Sequence, residues 1–598
     1  MKGRLILVLV AAGLWTAAVG VRLYALQVVG HEEYLARAAR QQRLVVELEP
    51  PRGAFYDARG RELAVSVEVD SAWADPRQVA DPAAAARAIA EVVGGDPAAL
   101  AARLAEDREF VWVARQLDRG DAERLASLAL SGVGFLKEYK RYYPMGQLAA
   151  QVLGYAGIDQ QGLAGLEHAA DELVAGRQGT KTLRRDARRG TAASPLFGGS
   201  EPRPGSSLHL TLDATIQHLA ERALAEGVES SGAESGSLVL LDPRNGAVLA
   251  MASYPTVDLN RFPESSPGTW RNRAILDAYE PGSTFKMVTA AAALEANRVD
   301  PSDVFDCEMG GITLAGVRIR DHKPFGRLTL TEVIARSSNV GAIKVGLAAG
   351  EERLAAAISA FGFGRPTGVE LPGESGGEVR PVERWWPLTK AYFSFGQGLT
   401  VTPLQLANSF AAVANGGTLW RPRVIAAVES PEGEVRVAPA EALGRPVSAA
   451  TARQLERMIE AVVAGGTGRR AGIAGYRVAG KTGTAQKADP GGGGYSATRF
   501  VASFVGFAPA RDPRLVGVVV LDEPWPRYHG GEVAAPVFAA AVEPALVYLG
   551  VPPSAPDEPE APDGLDAPVP DEPRFEGPEV ALPVLARAEL ELPPAGGA

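Results

Sequence analysis

The sequence has one cysteine, Cys307, among 598 residues, so no disulfide can form within the chain. Basic residues are not in excess: the net charge of -10 argues against a nucleic-acid-binding protein. Histidines are few and lack the close spacing of metal ligands, which favours structural roles for them. We therefore predict no metal, no other cofactor and no nucleic-acid partner. The histidines are His31, His168, His209, His218, His322 and His529.

Long uncharged runs are also rare, and one lies near the N-terminus. Residues 5–21 carry no charge, which is close to the minimum of about 17 residues for a membrane-spanning helix. Two basic residues precede the run and predict a cytoplasmic start, with the rest of the chain on the extracytoplasmic side. A cleaved signal peptide is the alternative, because residues 18–20 resemble a cleavage site. The length of the run and Arg22 at its border favour an uncleaved single-pass anchor over 1–25.

Composition divides the remainder into three parts. Residues 26–205 begin with an amphipathic helix and continue with strand-like runs, an Ala-rich helical stretch over 81–130 and a basic hairpin over 181–190. Residues 206–550 carry two predicted hairpins with helices between and after them, so we expect an α+β domain with one antiparallel sheet flanked by helices. The Pro- and acid-rich segment 551–598 predicts a disordered tail.

The stretch AYEPGSTFKMVTAAAALE places Ser283 and Lys286 after a Pro-Gly turn, at the start of an apolar run that predicts a buried helix over 283–296. Residues three apart share a helix face, so the two side chains can touch. Burial and the helix N-terminus both disfavour an ammonium, which should lower the pKa of Lys286. A serine beside such a base becomes a nucleophile. An N-cap serine followed by a snorkelling lysine is the alternative, and this motif alone does not exclude it.

Two further motifs follow in order. ARSSNVG lies at the head of another apolar helix, and VAGKTGTAQ lies at the entrance to the last hairpin. Each is weak alone, because S-x-N matches many caps and K-T-G fits a strand-edge turn. All three motifs in this order, each beside the expected element, are hard to obtain by chance. The added candidate residues are Ser337, Asn339, Lys481, Thr482, Gly483 and Thr484.

The set S-x-x-K, S-x-N and K-T-G resembles the signature of the penicillin-binding proteins and serine β-lactamases. RGAFYDARG, QGLAGLE, SGSLVLLDPRNGAVLAMAS and SFGQGLTVTPLQLANSFAAVANGG are similar to class B penicillin-binding proteins, and the resemblance covers about residues 40–550. SSNVG resembles the division-specific transpeptidases (FtsI type, penicillin-binding protein 3) more than elongation enzymes. Sporulation-type relatives share that pattern. The resemblance implies a dimerisation-type pedestal over 26–205 and a transpeptidase domain over 206–550.

The resemblance also implies a β-lactam-sensitive D,D-transpeptidase whose substrates are peptidoglycan stem peptides ending in D-Ala-D-Ala. Ser283 would attack the penultimate D-Ala carbonyl, and Lys286 would take the serine proton. Ser337 would relay a proton to the departing D-Ala. Asn339 would bind the donor peptide and orient Lys286. A neighbouring stem peptide's amine would then attack the acyl-enzyme and form the cross-link.

The K-T-G motif has the implied role of binding the donor's terminal carboxylate. Lys481, Thr482 and Thr484 would supply the cation and the hydroxyl donors, with Gly483 between them. The backbone N–H groups of Ser283 and Thr484 would form the oxyanion hole.

Residues 26–205 lack glycosyltransferase motifs, so the resemblance implies a separate multi-spanning division glycosyltransferase (FtsW type) and other divisome membrane proteins as partners, at the septal cytoplasmic membrane. A β-lactamase is disfavoured, because no E-x-x-L-N match occurs. The sequence is also compatible with a D,D-carboxypeptidase, an elongation- or sporulation-type transpeptidase, or a catalytically silent division scaffold. The three intact motifs argue against the scaffold.

Overall fold

A computed structural model describes residues 2–32, 34, 43–185, 191–193, 200–386, 388–489 and 494–554. The chain forms two compact units. The first comprises Met1–Gly53, Val67–Lys140 and Ala175–Gly205, and the second comprises Ala54–Ser66, Arg141–Val174 and Ser206–Ala598. Of the tail predicted to be disordered, everything from residue 555 onward lies outside the described part of the chain.

The strands are numbered in chain order. They are β1 (Arg43–Leu48), β2 (Phe55–Tyr56), β3 (Glu62–Ala74), β4 (Val111–Leu117), β5 (Val133–Tyr142), β6 (Gly179–Arg185), β7 (Thr191–Ala193), β8 (Ser207–Leu210), β9 (Ser235–Asp242), β10 (Ala247–Tyr254), β11 (Val304–Asp306), β12 (Gly311–Leu314), β13 (Val317–Arg320), β14 (Arg327–Thr329), β15 (Leu419–Trp420), β16 (Ile425–Glu429), β17 (Val435–Val437), β18 (Ala442–Gly444), β19 (Ala479–Ala488), β20 (Tyr495–Ala508) and β21 (Leu515–Asp522).

The α-helices are numbered in the same way. They are α1 (Lys2–Tyr24), α2 (Pro82–Val93), α3 (Pro97–Leu104), α4 (Arg119–Ser127), α5 (Ala150–Leu153), α6 (Gly165–Ala169), α7 (Asp171–Val174), α8 (Ala214–Ser231), α9 (Arg273–Leu276), α10 (Lys286–Glu295), α11 (Leu330–Ala335), α12 (Asn339–Ala349), α13 (Glu351–Ala360), α14 (Thr389–Phe393), α15 (Pro403–Ala414), α16 (Ala449–Ala464) and α17 (Gly530–Tyr548).

Helix α1 carries the N-terminal apolar run and continues as a π-helical turn, Ala25–Val29. The mean hydropathy over its best window is 2.0, and none of that window is buried against other parts of the protein. Its length and composition are those of a single membrane-spanning helix. Of the amphipathic helix expected after residue 26, residues 35–42 lie outside the described part.

The first unit contains helices α2 to α4 and an antiparallel sheet in the order β1-β6-β7. Pairing of β6 with β7 confirms the basic hairpin, although 186–190 between them is not described. The helical expectation for 81–130 is right for three helices and wrong for β4. There Val111, Val113 and Leu117 are buried, and the strand pairs with the end of β3. The even spacing of these apolar residues, two and four positions apart, places them on one face of a strand.

The second unit is built around a five-stranded antiparallel sheet in the order β10-β9-β21-β20-β19. The predicted sheet with flanking helices is confirmed. The Asn245-Gly246 turn joins β9 to β10, and Gly246 has a φ of +72°. The long apolar strands are buried because helices cover both faces of the sheet, with α8 and α17 on one side. The K-T-G motif lies within the edge strand β19 and not in a turn.

Helix α17 is the second helix, among the described residues, that is long and apolar enough to span a membrane. Its mean hydropathy is lower, 1.3, and 56% of its best window is buried. Residues such as Val537, Phe538 and Val542 pack in the apolar core against the sheet. This helix is therefore part of the domain core.

Candidate active site

Ser283 lies in a 3-10 turn, Gly282–Phe285, that leads directly into the buried helix α10. The predicted helix is confirmed, with its first turn wound more tightly than an α-helix. Gly282 has a φ of +54° and its N–H donates to the Gly396 carbonyl at 2.9 Å. The Thr284 hydroxyl donates to the Pro281 carbonyl at 2.8 Å. Since its neighbours in the turn are buried, the half-buried Ser283 offers the accessible side chain.

Glu280 fixes the same turn from its N-terminal side. One carboxyl oxygen accepts the Gly398 N–H at 3.0 Å and the Tyr495 hydroxyl at 3.1 Å. Burial raises the pKa of Glu280 to about 7, although both hydrogen bonds oppose that rise. The turn is thus tied to the loop after α14 and to the start of β20.

Lys286 is fully buried, and its ammonium nitrogen points to the S-x-N motif. Nζ donates to the Ser337 carbonyl at 2.5 Å, the Ser337 hydroxyl at 3.1 Å and Asn339 Oδ1 at 2.8 Å. Within the described chain none of its hydrogen bonds goes to Ser283, the partner expected from their spacing. Burial lowers the pKa of Lys286 to about 7, while Asp321 and Cys307 act in the opposite direction.

The S-x-N motif lies where α11 ends and α12 begins, as its sequence predicted. Ser337 has a φ of +61°, a conformation that non-glycine residues adopt rarely and keep only where their surroundings fix it. Ser338 is the N-cap of α12, and its hydroxyl accepts the Gly341 N–H at 2.9 Å. Asn339 donates its amide N–H to the Arg320 carbonyl at 3.0 Å, which leaves its oxygen facing Lys286.

Lys481 reaches the same serine from β19. It is fully buried, and Nζ donates to the Ser337 hydroxyl at 2.9 Å. The Ser337 hydroxyl therefore lies between two lysines, one from α10 and one from the edge strand. This hydroxyl joins the second motif to both of the others.

The rest of the K-T-G segment borders the turn of the first motif. A Cβ on Gly483 would lie 2.9 Å from the Pro281 carbonyl and 2.4 Å from the Ser503 hydroxyl, so only glycine permits this approach. The hydroxyls of Thr482 and Thr484 contact Thr467 Oγ1 at 2.8 Å and the Gly530 N–H at 3.0 Å. The strand edge and the Ser283 turn thus form two sides of one cleft.

Sequence reasoning missed three residues of this neighbourhood: Asp321, His322 and Thr467. Burial, followed by the charges of Lys286, Lys323 and Lys481 and by His529, lowers the pKa of His322 to about 3, so its imidazole is neutral. These residues have no motif around them. Their roles depend on partners distant in sequence, so no local pattern could reveal them.

Comparison with known families and proteins agrees with this arrangement. Residues 236–543 match the family described as the penicillin binding protein transpeptidase domain, and residues 47–210 match the penicillin-binding protein dimerisation domain. The chain is 35% identical over 539 residues to the peptidoglycan D,D-transpeptidase FtsI of Escherichia coli, covering 89% of each chain. It is 34% identical over 562 residues to the stage V sporulation protein D of Bacillus subtilis, covering 92% of this chain and 87% of that protein.

A solved structure gives the same result for the fold. Penicillin-binding protein 3 of Mycobacterium tuberculosis, complexed with ampicillin, superposes with a TM-score of 0.69 at 31% identity. The match covers 87% of this chain and 100% of that one. Both matched families and the fold extend over the two units.

Proposed function

Because this chain belongs to the class B penicillin-binding proteins, and is thus a serine peptidoglycan D,D-transpeptidase, we propose that Ser283 is its nucleophile and that its three motifs act as one catalytic centre. The observation that supports this most strongly is the Ser337 hydroxyl, which accepts hydrogen bonds from both Lys286 and Lys481. Three motifs that are weak one by one converge on a single cluster beside the Ser283 turn.

Acylation begins when neutral Lys286 takes the Ser283 proton. With its pKa near 7, a large fraction of Lys286 is neutral at physiological pH. Ser283 Oγ then bonds to the carbonyl carbon of the penultimate D-Ala, and the bond from that carbon to the terminal D-Ala nitrogen breaks. The proton travels through the Ser337 hydroxyl to the leaving amine. An amine of a second stem peptide later attacks the ester and releases Ser283.

The donor peptide is held by the edge of β19. Lys481, Thr482 and Thr484 offer a cation and two hydroxyls to the terminal carboxylate, the pairing that carboxylates favour. The backbone N–H groups of Ser283 and Thr484 stabilise the oxyanion. The two segments lie close enough for this role, because a Cβ on Gly282 would lie only 3.3 Å from the Thr484 carbonyl oxygen. Asn339 holds Lys286 in place through its side-chain oxygen.

Labelling with a fluorescent penicillin tests the nucleophile. We expect a stable ester that peptide mapping assigns to Ser283, and no labelling of Ser283→Ala. Ser127→Ala, at the exposed end of α4, is the matched control and should label like the wild type. Labelling retained in Ser283→Ala, with its melting transition unchanged, would contradict the assignment. Incubation with stem peptides, followed by analysis of the products, distinguishes a transpeptidase from a carboxypeptidase, because only a transpeptidase makes cross-linked dimers.

In the cell we propose a division role of FtsI type, with a multi-spanning FtsW-type glycosyltransferase and other divisome proteins as partners at the septal membrane. The SSNVG motif and the similarity to a transpeptidase named FtsI support this role, whereas the similar stage V sporulation protein D supports a sporulation role. Depletion of the protein should block septation if the division role is correct. Normal septation with a defect confined to spores or to elongation would contradict it.

We propose four segments: an anchor over 1–25, a pedestal over 26–205, a transpeptidase domain over 206–550 and a tail over 551–598. The two family matches support the second and third, since the matched residues 47–210 and 236–543 fall almost entirely within them. A chain ending at residue 554 should acylate at the wild-type rate. The N-terminus of the mature protein, determined by mass spectrometry, should begin before residue 5; cleavage after Gly20 would contradict the anchor.

A further inference from the structure

One carboxylate outside the three motifs receives most of the hydrogen bonds that the start of α12 can donate. Asp321 follows β13, and its Oδ2 accepts the Ser338 hydroxyl at 2.7 Å. Its Oδ1 accepts the Val340 N–H at 3.0 Å and also the Asn339 N–H. The first N–H groups of a helix lack acceptors within the helix. Asp321 provides acceptors for them from a neighbouring segment.

The residue before it holds the side chain of Asn339. The Arg320 carbonyl accepts the Asn339 amide N–H at 3.0 Å, and the opposite side of that amide accepts Lys286 Nζ at 2.8 Å. Asn339 is therefore held at its backbone by Asp321 and at its side chain by Arg320. A shift of this segment would move the acceptor that positions Lys286.

The charge of Asp321 acts on the same lysine. It raises the pKa of Lys286 against the effect of burial, as Cys307 also does. The other titratable groups around the cluster are Lys481, which shares Ser337 with Lys286, His322, whose imidazole is neutral, and Lys323 and His529, which act on His322. The negative charge of Asp321 thus offsets part of the decrease in pKa that burial causes in Lys286.

We propose that Asp321 is a positioning residue for the reaction. It holds Ser338 and Asn339 in the geometry that directs Lys286 to Ser337, and its negative charge favours the protonated form of Lys286. This inference rests on the proposed role of Lys286. The two effects are separable, because one depends on the hydrogen bonds of the carboxylate and the other on its charge.

The test is the second-order rate of penicillin acylation measured between pH 5.5 and pH 9. Asp321→Asn keeps the shape and one of the two accepting oxygens but loses the charge, so Lys286 should stay neutral at lower pH and the midpoint of the profile should move to lower pH. Asp321→Ala also loses the hydrogen bonds, so its rate at high pH should fall about 10- to 100-fold, the effect expected when a catalytic group is displaced. Asp321→Asn should fall less at high pH.

Two further variants separate these effects from general damage. Ser338→Ala keeps the Asp321 charge, so its midpoint should stay at the wild-type value while the rate at high pH falls severalfold. Asp81→Ala removes a carboxylate of the same capping kind, which accepts the Ala83 and Ala84 N–H groups at the start of α2, and should change neither quantity.

A wild-type midpoint in Asp321→Asn would overturn the electrostatic part of the proposal. A wild-type rate at high pH in both Asp321→Ala and Ser338→Ala would overturn the positioning part. If Asp321→Ala does not fold, as judged by its melting transition, Asp321→Asn and Ser338→Ala still decide both parts. If the proposed function itself is wrong, the result is a different one: the wild-type protein would form no ester at Ser283.

Discussion

Lys286 and Lys481 are alike in burial and differ in their surroundings. Both are fully buried, and both donate to the Ser337 hydroxyl, at 3.1 and 2.9 Å. Lys286 stands at the start of α10 and also donates to the Ser337 carbonyl and to Asn339. Lys481 stands in β19 and also donates to the Thr482 carbonyl at 3.3 Å.

Burial alone therefore does not determine the role of a lysine in this site. Two ammonium groups on one hydroxyl repel each other, so the site favours a state in which one of them is neutral. Burial lowers the pKa of Lys286 to about 7, which suits this lysine to the role of the base. We infer a division of labour in which Lys286 transfers protons and Lys481 keeps its charge for the donor carboxylate.

The largest effect should separate the two lysines directly. Arginine keeps the charge but cannot lose its proton. Lys286→Arg should therefore lower the acylation rate by about 10⁴- to 10⁶-fold, the loss typical of a catalytic residue. Lys481→Arg should lower it by no more than about 10³-fold, the scale for one stabilising donor. Equal losses in the two variants, measured by stopped-flow acylation, would remove the distinction.

The hydroxyl that the lysines share gives the next largest effect. Ser337→Ala leaves both lysines in place and removes the group through which the proton reaches the leaving amine. We expect a loss of about 10²- to 10⁴-fold in acylation, the usual contribution of one general acid–base group. Ser338→Ala, one residue away, is the control and should lose much less. A rate for Ser337→Ala within twofold of the wild type would show that the proton takes another route.

The pH dependence of acylation should show a smaller effect that also distinguishes the two lysines. If neutral Lys286 is the base, the acylation rate should rise with pH as Lys286 loses its proton, with a midpoint near pH 7. A single group with that pKa gives roughly a tenfold rise between pH 6 and pH 8. Lys481→Arg should keep this midpoint, because its charge is unchanged. A flat profile in the wild type would assign the base to another group.

Much of the fold and of the candidate site follows from local sequence. The apolar runs predict α10 and α12, the Asn245-Gly246 turn predicts the hairpin, and each motif lies at or within the expected element. Strand β4 was missed because its seven residues lie between Ala-rich helices and carry only three buried apolar side chains. The seven residues therefore gave a weaker signal than the helices around them.

The partners of the motifs could not be predicted in the same way. The spacing of Ser283 and Lys286 indicates that they share a helix face, but the ammonium donates to Ser337 and Asn339, which lie at the junction of α11 and α12. Asp321 and Thr467 contribute through contacts with residues 15 to 19 positions away. Such contacts depend on how loops return to the site, which hydrophobic periodicity does not encode.

The smallest effect concerns a buried ionisable group outside the cleft, Glu221 of α8. One carboxyl oxygen accepts the Ala149 N–H at 2.7 Å and the Gln217 amide at 2.8 Å. Burial raises the pKa of Glu221 to about 7, although both hydrogen bonds oppose the rise. Glu221 is less buried than the two lysines and has none of their neighbours in the site. It therefore tests what desolvation does to a charged group outside a catalytic environment.

The sign of its effect on stability follows from the raised pKa. The folded protein keeps a proton that the unfolded chain loses above its ordinary pKa of 4.5, so this contribution to stability is present at low pH and is lost as the pH rises through about 7. Glu221→Gln keeps the accepting oxygen and carries no charge at any pH. It should be more stable than the wild type at pH 8, by up to about 3 kcal/mol, and by less than about 1 kcal/mol at pH 5. Urea unfolding at both pH values measures the difference, and the acylation rate should not change. An equal difference at pH 5 and pH 8 would show that the substitution acts through packing and not through the charge of the carboxyl group.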